Sequence, residues 1–407
     1  MAVIVNGELK VKKDWEIKKL SEVCEINIGR TPERGNSKMW DKEKKTENVW
    51  LSIADLNNAE DGYISDSSEY VSDNAVPKMK LVKANTLLMS FKLTIGRCAI
   101  TKRELFTNEA IAALPIIDKD LDLFFLKYYL ENFDWAKLTE GDVKVKGKTL
   151  NKEKLKEVPI TVPPREEQKR IVKILDEKIA QLETIKTNAQ TNLQNAKDLF
   201  QSQLTKAFSN TTWEKAKLED IALDFSRGKS KHRPRNDKCL FGGDYPFIQT
   251  GDIRNADKYV TDYTETYNET GLAQSKLWPK GTLCITIAAN IAETAILSFP
   301  CCFPDSVIGF IPNEKLTTVD FVYYLIQFFK SELQKMSKGA AQDNLNLAKF
   351  ENMNFPLPPL PEQKRIVEQL DSLSEKTKAL QNIYEQMLLD CEELKQSFLC
   401  KAFAGEL

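Results

Sequence analysis

The sequence predicts an α+β or α/β protein built as two tandem halves, each a compact domain followed by a long helix, with the two helices packed as an antiparallel coiled coil. Three observations predict it. Residues 163–172 (PPREEQKRIV) and 358–367 (PPLPEQKRIV) are identical at eight of ten positions at an offset of 195, and QSQLTKAF (201–208) meets QSFLCKAF (396–403) at the same offset with six identities in eight. Between these two ends, apolar residues recur at a three-and-four period in each copy. Ahead of each copy lies a longer segment in which short β-rich runs alternate with Gly, Pro and Asn. The layout is therefore 1–162 and 209–357 for the two domains, and 163–208 and 358–407 for the two helices. Such a repeat implies halves related by an approximate two-fold axis.

The first helical stripe runs through Val172, Leu175, Ile179, Leu182, Ala189, Leu193, Ala196, Phe200 and Leu204, with Lys186 as its one charged intruder. Pro163 and Pro164 stand just before it, where a missing N–H is tolerated, and Glu166 and Glu167 fall in the first turn, favourable to the helix dipole. The second stripe runs through Val367, Leu370, Leu380, Tyr384, Met387, Cys391, Leu394 and Phe398, weakened in its middle by Ser374 and Thr377. A helix of roughly 40 residues is about 60 Å long and cannot bury its stripe against itself. The two copies are expected to pack on each other. An antiparallel pair fits best, because a parallel one would require the intervening domain to carry the chain back over the whole helix length.

The two domains correspond faintly. Trp15-Glu16 and Trp213-Glu214 open them; Ala54-Asp55-Leu56-Asn57 parallels Gly251-Asp252-Ile253-Arg254, and Lys83-Ala84-Asn85-Thr86-Leu87 parallels Pro279-Lys280-Gly281-Thr282-Leu283. Strand-like runs at 86–91 and 282–288 are followed by aromatic helical stretches at 121–133 and 319–329.

At 407 residues and 42% apolar content the chain can fill two or three packed cores. With 58 basic and 59 acidic residues, any polyanion-binding surface must be a local patch. The start turns polar at Asn6 and no apolar run reaches membrane-spanning length, so a soluble, cytoplasmic protein with no membrane partner is expected. The eight cysteines lack zinc-ligand spacing and are expected as reduced, mostly core residues, with no metal site. His232 is the only histidine, which removes paired-histidine metal sites and histidine-based triads. GxxxxGK[ST], GxGxxG, HExxH and GxSxG are absent, as are the Asn/Asp-Pro-Pro-aromatic motif of amino-methyltransferases and a nuclease Asp with Glu-x-Lys. Glu153-Lys154 reads as an ordinary helix-surface pair. No catalytic residue is expected.

The candidate chemistry is binding. Ser226 to Lys238 (SRGKSKHRPRNDK) sets Arg227, Lys229, Lys231, Arg233, Arg235 and Lys238 against one acid, Asp237. Arginine forks can bridge phosphate oxygens or the O6/N7 edge of guanine, while lysines act as point charges; a solvated surface loop is the bland alternative. The first domain's counterpart is 30–45, with Arg30, Thr31, Arg34 and Lys38. A second matched pair precedes the helices: 141–148, with Lys144, Lys146 and Lys148, and 338–344, with Lys338, Gln342 and Asn344, whose amides suit adenine edges. In the helical segments Pro164, Gln168, Ile171, Leu175, Leu182 and Leu193, and Pro359, Gln363, Ile366, Leu370, Tyr384 and Leu394, are the candidates for coiled-coil or partner contact.

Two divergent domains, each followed by a PPL-x-EQ-x-x-I type junction and a long helix, resemble the specificity subunit of type I restriction-modification systems over nearly the whole chain. The resemblance rests on Pro163, Pro164, Glu167, Gln168 and Ile171, and on Pro358, Pro359, Leu360, Glu362, Gln363 and Ile366. Gly29-Arg30-Thr31-Pro32 with Trp50, and Gly339 leading to Leu345 and Phe355-Pro356-Leu357-Pro358-Pro359, support it. Arg165 and Glu166 depart from the usual junction, and Arg227-Gly228-Lys229-Ser230 replaces the Gly-Thr-Pro start in the second half. The resemblance implies two target recognition domains, each reading one half of a bipartite double-stranded DNA site, with the helix pair as spacer ruler. It also implies two methyltransferase subunits, which use S-adenosylmethionine to methylate adenine N6 and dock chiefly on the helices. Two motor-nuclease subunits using ATP and magnesium would join them, and none of these cofactors would bind this chain directly. A protein-binding coiled-coil scaffold and a self-sufficient DNA methyltransferase or nuclease are the alternatives.

Overall fold

A computed structural model describes the chain except residues 1, 2, 6, 7, 11, 13, 139–142, 145, 146, 149, 289, 290 and 338–352. It comprises two compact units, Met1–Ala189 with Gln386–Leu407, and Gln190–Glu385. The long helices are Arg165–Ala207 and Leu360–Ala404. The division cuts both of them, so each unit holds one globular domain, part of the first helix and part of the second.

In the first unit a five-stranded sheet runs in the order Asn27–Ile28, Ile111–Leu114, Leu87–Ser90, Cys98–Thr101, Tyr63–Ile64, with only the last pairing parallel. The second unit repeats it as Ala222–Arg227, Val307–Pro312, Leu283–Thr286, Thr294–Leu297, Tyr259–Val260, again parallel only at the last pair. Equivalent strands are displaced by one residue more than the offset at the helices, as in 87 to 283, 98 to 294 and 63 to 259. A smaller sheet sits beside each: Phe106–Thr107, Val49–Leu51, Glu69–Tyr70 in the first unit, and Glu265–Tyr267, Phe241–Phe247, Cys301–Cys302, Leu277–Trp278 in the second. The central strands Leu87–Ser90 and Leu283–Thr286 are buried on both faces and read as continuous apolar runs for that reason.

Each domain is closed by a two-stranded clasp that returns the chain to its own beginning. Glu16–Lys19 pairs antiparallel with Pro159–Val162, and Glu214–Ala216 with Phe355–Leu357. The long helix starts directly after the second strand of the clasp, where proline carbonyls accept its first bonds: Pro164 from the amides of Glu167 and Gln168, Pro359 from those of Glu362 and Gln363. The glutamine of each junction then turns inward. Gln168 is fully buried; its Oε1 accepts from the Asp122 amide at 2.7 Å, and its Nε2 donates to the carbonyls of Asp120 at 2.8 Å and Pro163 at 2.7 Å. Gln363 is equally buried; its Oε1 accepts from the Thr317 hydroxyl at 3.0 Å and the Thr318 amide at 3.3 Å, and its Nε2 donates to Leu316 and Pro358 carbonyls, both at 2.9 Å. Each glutamine fixes the helix start to the loop that opens the domain's aromatic helix, Leu123–Glu131 or Val319–Ser337. A Tyr–Asp bond two turns on repeats the attachment, Tyr128 to Asp176 at 2.6 Å and Tyr324 to Asp371 at 2.5 Å.

The cores use both long helices. In the first unit Ile171 and Leu175 pack into the domain core together with Leu399, Ala402 and Phe403, and the Phe403 ring meets Phe125 at 5.5 Å and Tyr129 at 5.2 Å. In the second, Ile366 and Leu370 pack with Leu204 and Phe208, whose ring meets Phe321 at 5.6 Å and Phe328 at 5.3 Å. Burying each such side chain is worth about 1.5–3 kcal/mol. The start of one helix thus lies beside the end of the other within each unit, which makes the pair antiparallel; in the first unit Lys186 pairs with Glu392 and Lys395 with Glu183.

Burial divides the residues expected at coiled-coil or partner contacts. Gln168, Ile171, Leu175, Gln363, Ile366 and Leu370 are interior, spent on the attachment of each helix to a domain core. Leu182 is buried, Leu193 and Tyr384 half-buried, and Leu394, expected in the seam, is exposed. Pro164 and Pro359 are exposed at equivalent junctions.

Gln168→Leu keeps the volume and strands one amide and two carbonyls, each costing about 1–3 kcal/mol when buried unpaired. The urea midpoint of the first unit's transition should fall by the equivalent of at least about 2 kcal/mol. An unchanged midpoint would remove the glutamine from the set of groups that hold the helix.

Candidate nucleic-acid interface

Both candidate loops leave the five-stranded sheet through a glycine that nothing else can replace. A Cβ at Gly29 would lie 2.1 Å from the Thr107 carbonyl oxygen, and one at Gly228 would lie 2.4 Å from that of Phe303. Their amides donate to equivalent strands, Gly29 to Ile111 O and Gly228 to Val307 O. Gly228 therefore occupies the place of Gly29. The apparent departure at Arg227-Gly228-Lys229-Ser230 is a shift in register, to which the irregularity between Ala222 and Asp224 contributes one residue, with Lys229-Ser230 following the glycine as Arg30-Thr31 do in the first domain.

In the first loop Arg30, Arg34 and Lys38 are exposed and Thr31 is half-buried. The Arg30 carbonyl accepts from Trp50 Nε1 at 3.1 Å, and the Thr31 hydroxyl donates to Glu109. The Arg34 guanidinium lies over Trp40 at 4.2 Å and Trp50 at 4.7 Å and pairs with Glu69. The two indoles meet edge to face at 5.0 Å. Arg34, Trp40, Asp41, Lys42, Glu69 and Tyr70 line a polar recess of about 420 Å³. A guanidinium stacked on indoles keeps its plane fixed, so its N–H fork is preorganised.

In the second loop Arg227, Lys229, Lys231, Arg233 and Arg235 are all exposed. The backbone beneath them is held from outside. Gln274 Oε1 accepts from the amides of Lys231 at 2.7 Å and His232 at 3.1 Å, and the Ser275 hydroxyl donates to the Lys229 carbonyl at 3.0 Å. The arginines gather on one residue: Arg227 Nε donates to the Asp305 carbonyl at 2.7 Å, Arg235 pairs with the Asp305 carboxylate at 2.7 Å, and Arg233 stands 4.0 Å from it. Arg233 also donates to the Ser230 and His232 carbonyls at 2.6 and 2.8 Å. A phosphate arriving here would compete with a single, half-exposed carboxylate for guanidinium groups already aimed in one direction.

The remaining candidates are not brought into this picture. Lys144 and Lys148 lie in the strands Val143–Lys144 and Gly147–Lys148, but their side chains, and the whole of Lys146, Lys338, Gln342 and Asn344, fall outside the described residues. Sequence reasoning missed Trp40, Glu69, Gln274 and Asp305. Trp40 stood within the noted segment and its ring could have been weighed with Arg34; Gln274 and Asp305 reach the basic loop only through the fold. Cys239, expected among core thiols, is exposed.

A second candidate surface lies on the long helices. Leu380, Ile383, Met387 and Leu394 recur at spacings of three, four and seven along the second helix and stand 40%, 55%, 36% and 47% exposed. Scattered apolar residues need no explanation, but a stripe at helical period on one face does.

The family model described as the type I restriction modification DNA specificity domain matches this chain twice, over residues 12–193 and 210–388. The chain belongs to that family. Among relatives of this specificity-domain protein, the type I restriction enzyme MjaIX specificity subunit of Methanocaldococcus jannaschii is 25% identical, the match covering 98% of this chain and 94% of the relative. The HsdS subunit of Thermoanaerobacter tengcongensis shares its fold at a TM-score of 0.63 and 19% identity, over 99% of this chain and 100% of that one. A chain solved in work on complex assembly and conformational transition of the type I R-M system shares it at 0.78 and 20% identity, over 98% and 100%. The two family matches each take in one domain and much of the helix that follows it, as the repeat does. No helix among the described residues of the specificity-domain chain is long and apolar enough to cross a membrane.

Replacing Arg227, Lys229, Lys231, Arg233 and Arg235 together by alanine should weaken duplex DNA binding by more than tenfold at low salt. It should also flatten the slope of log K against log salt by up to about 4.5, since each lost phosphate contact removes about 0.9. Titrations that give the same affinity and slope would assign the loop to solvent.

Proposed function

We propose that this chain is the non-catalytic specificity subunit of a type I restriction-modification assembly. Each domain reads one half of a bipartite duplex site, and the helix pair sets the spacing of the two readers and docks methyltransferase subunits. One observation carries this reading: the same domain topology occurs twice, attached identically to shared helices, while the loops that leave the sheet at Gly29 and Gly228 differ in residue type and length. Conserved attachment with divergent loops suits a molecule that must present two different readers in the same way. A scaffold that bound only protein would not call for basic loops at equivalent sheet edges, and an enzyme would need chemistry for which the sequence carries no motif.

Two methyltransferase subunits and two motor-nuclease subunits complete the assembly in this reading. The former would hold S-adenosylmethionine and transfer methyl groups to adenine N6, and the latter would use ATP and magnesium, with this chain binding none of the three. The exposed stripe Leu380, Ile383, Met387 and Leu394 and the exposed junction prolines Pro164 and Pro359 are the surfaces offered to the methyltransferases, and the complex would work in the cytoplasm. The domain boundaries 1–162, 163–208, 209–357 and 358–407 remain the working units of this proposal.

The spacing role is tested by lengthening both helices at the level where the compact units divide. Four residues inserted after Ala189 together with four after Glu385 add about 6 Å of helix. Methylation mapping of the assembled variant should return the original half-sites with a spacer longer by about two base pairs, each base pair rising about 3.4 Å. Altered half-sites at an unchanged spacer would sink the ruler.

A further inference from the structure

The second basic loop contains more than cations. It holds the chain's only histidine, and the fold brings that histidine to an aspartate and a cysteine. His232 Nε2 stands 3.0 Å from Asp237 Oδ2, and one imidazole nitrogen, one carboxylate oxygen and Cys239 Sγ all lie within 4.8 Å of one another. Cys239 is the one exposed thiol of the eight. The buried ones are different in kind: burial above all, with Glu131 beside Cys98 and Cys301 beside Cys284, pushes those two thiols well above an ordinary thiol pKa, so they stay protonated and inert.

The three side chains are held before any ligand arrives. Asp237 caps the short helix Lys238–Leu240, its Oδ1 accepting from the Cys239 amide at 3.1 Å, which leaves Oδ2 turned to His232. The His232 amide is fixed by Gln274, and the Cys239 carbonyl accepts from Asn268 Nδ2 at 3.0 Å. Both ligand-bearing stretches of backbone are thus tied to the two ends of one short helix, Glu269–Ala273, which Asn268 and Gln274 cap. Cys239 at present gives its thiol hydrogen to Asp237, which raises its pKa.

We propose that His232, Asp237 and Cys239 form a binding site for a divalent ion of the zinc class, with water in the fourth position. One imidazole nitrogen, one thiolate and one carboxylate oxygen are the donors that zinc takes in tetrahedral geometry, at about 2.0–2.3 Å. Those bond lengths require ligand atoms about 3.5 Å apart, and the three ligand atoms already lie within 4.8 Å of one another. Calcium and magnesium are disfavoured because they take oxygen ligands. Binding expels the Cys239 thiol proton to solvent: the ion's two positive charges meet one thiolate and one carboxylate, and the neutral imidazole completes the set. The cluster goes from one negative charge, that of Asp237, to none, so binding adds a single positive charge among Lys231, Arg233, Arg235 and Lys238 rather than two, because the thiol proton leaves. The ion would close the loop between residues 232 and 239 and fix the segment that carries Arg233 and Arg235.

Cobalt(II) is the probe, titrated into the purified, reduced, full-length chain. One equivalent should bind with a near-ultraviolet thiolate-to-cobalt charge-transfer band and tetrahedral visible bands, and zinc should displace it. Cys239→Ser should abolish the charge-transfer band, and His232→Gln should weaken binding at least about tenfold. Zinc should also shift the ring resonances of the single histidine in wild type. Both variants alter side chains at the loop surface, and circular dichroism reports whether the fold is kept. A chain that binds no cobalt at one equivalent, a band that survives Cys239→Ser, or histidine resonances that zinc does not move would overturn the site.

Discussion

The structure depends on how each long helix is anchored where it begins. A glutamine buried without access to water must satisfy its amide; Gln168 does so with backbone groups of the junction and of the loop that opens the domain's aromatic helix, and Gln363 with the equivalent backbone groups and the Thr317 hydroxyl. That fixes the helix axis on its domain. The tyrosine–aspartate bonds two turns later and the Ile and Leu contacts between extend the same attachment. Because the end of the other helix completes each core through Phe208 or Phe403, neither domain is packed by its own contiguous chain alone. The duplicated element is a domain with one helix start and one helix end.

This explains which parts of the chain resist change. Gln168 and Gln363, Ile171 and Ile366, and Phe208 and Phe403 are identical because they sit in one geometry twice. The loops after Gly29 and Gly228 share only what the backbone demands at the sheet edge, a residue without a side chain. Beyond it, one loop stacks an arginine on two indoles and the other gathers three arginines on Asp305. Two solutions for presenting guanidinium groups on one scaffold are what two different reading tasks would select.

The architecture was legible in the sequence because its signals are local and repeated. The offset of 195, the three-and-four period and the prolines before each helix all act over short spans, and the helices Arg165–Ala207 and Leu360–Ala404 fall where that pattern runs. Less legible was the use of each position. Periodicity gave Gln168 and Ile171 to a helix face, but only the fold shows that this face meets the domain core, and Leu394 carries the period of the seam yet stands in solvent. The loops were found by charge, whereas Gln274 and Asp305 are 42 and 70 residues from the groups they hold, and no short-range pattern connects them. The His232, Asp237 and Cys239 constellation was hidden differently: its spacing matches no familiar metal motif, and its ligands converge only because Asp237 caps a short helix.

The central claim is that two unlike readers on one duplicated frame define one bipartite site. Single-molecule methylome mapping of a host with and without this gene tests it most directly. The account predicts that deletion erases methyladenine from one motif made of two different half-sites separated by a fixed, unspecified spacer, and from no other motif. Loss of methylation at a continuous site, or an unchanged methylome in a host whose methyltransferase partners are expressed, would contradict it.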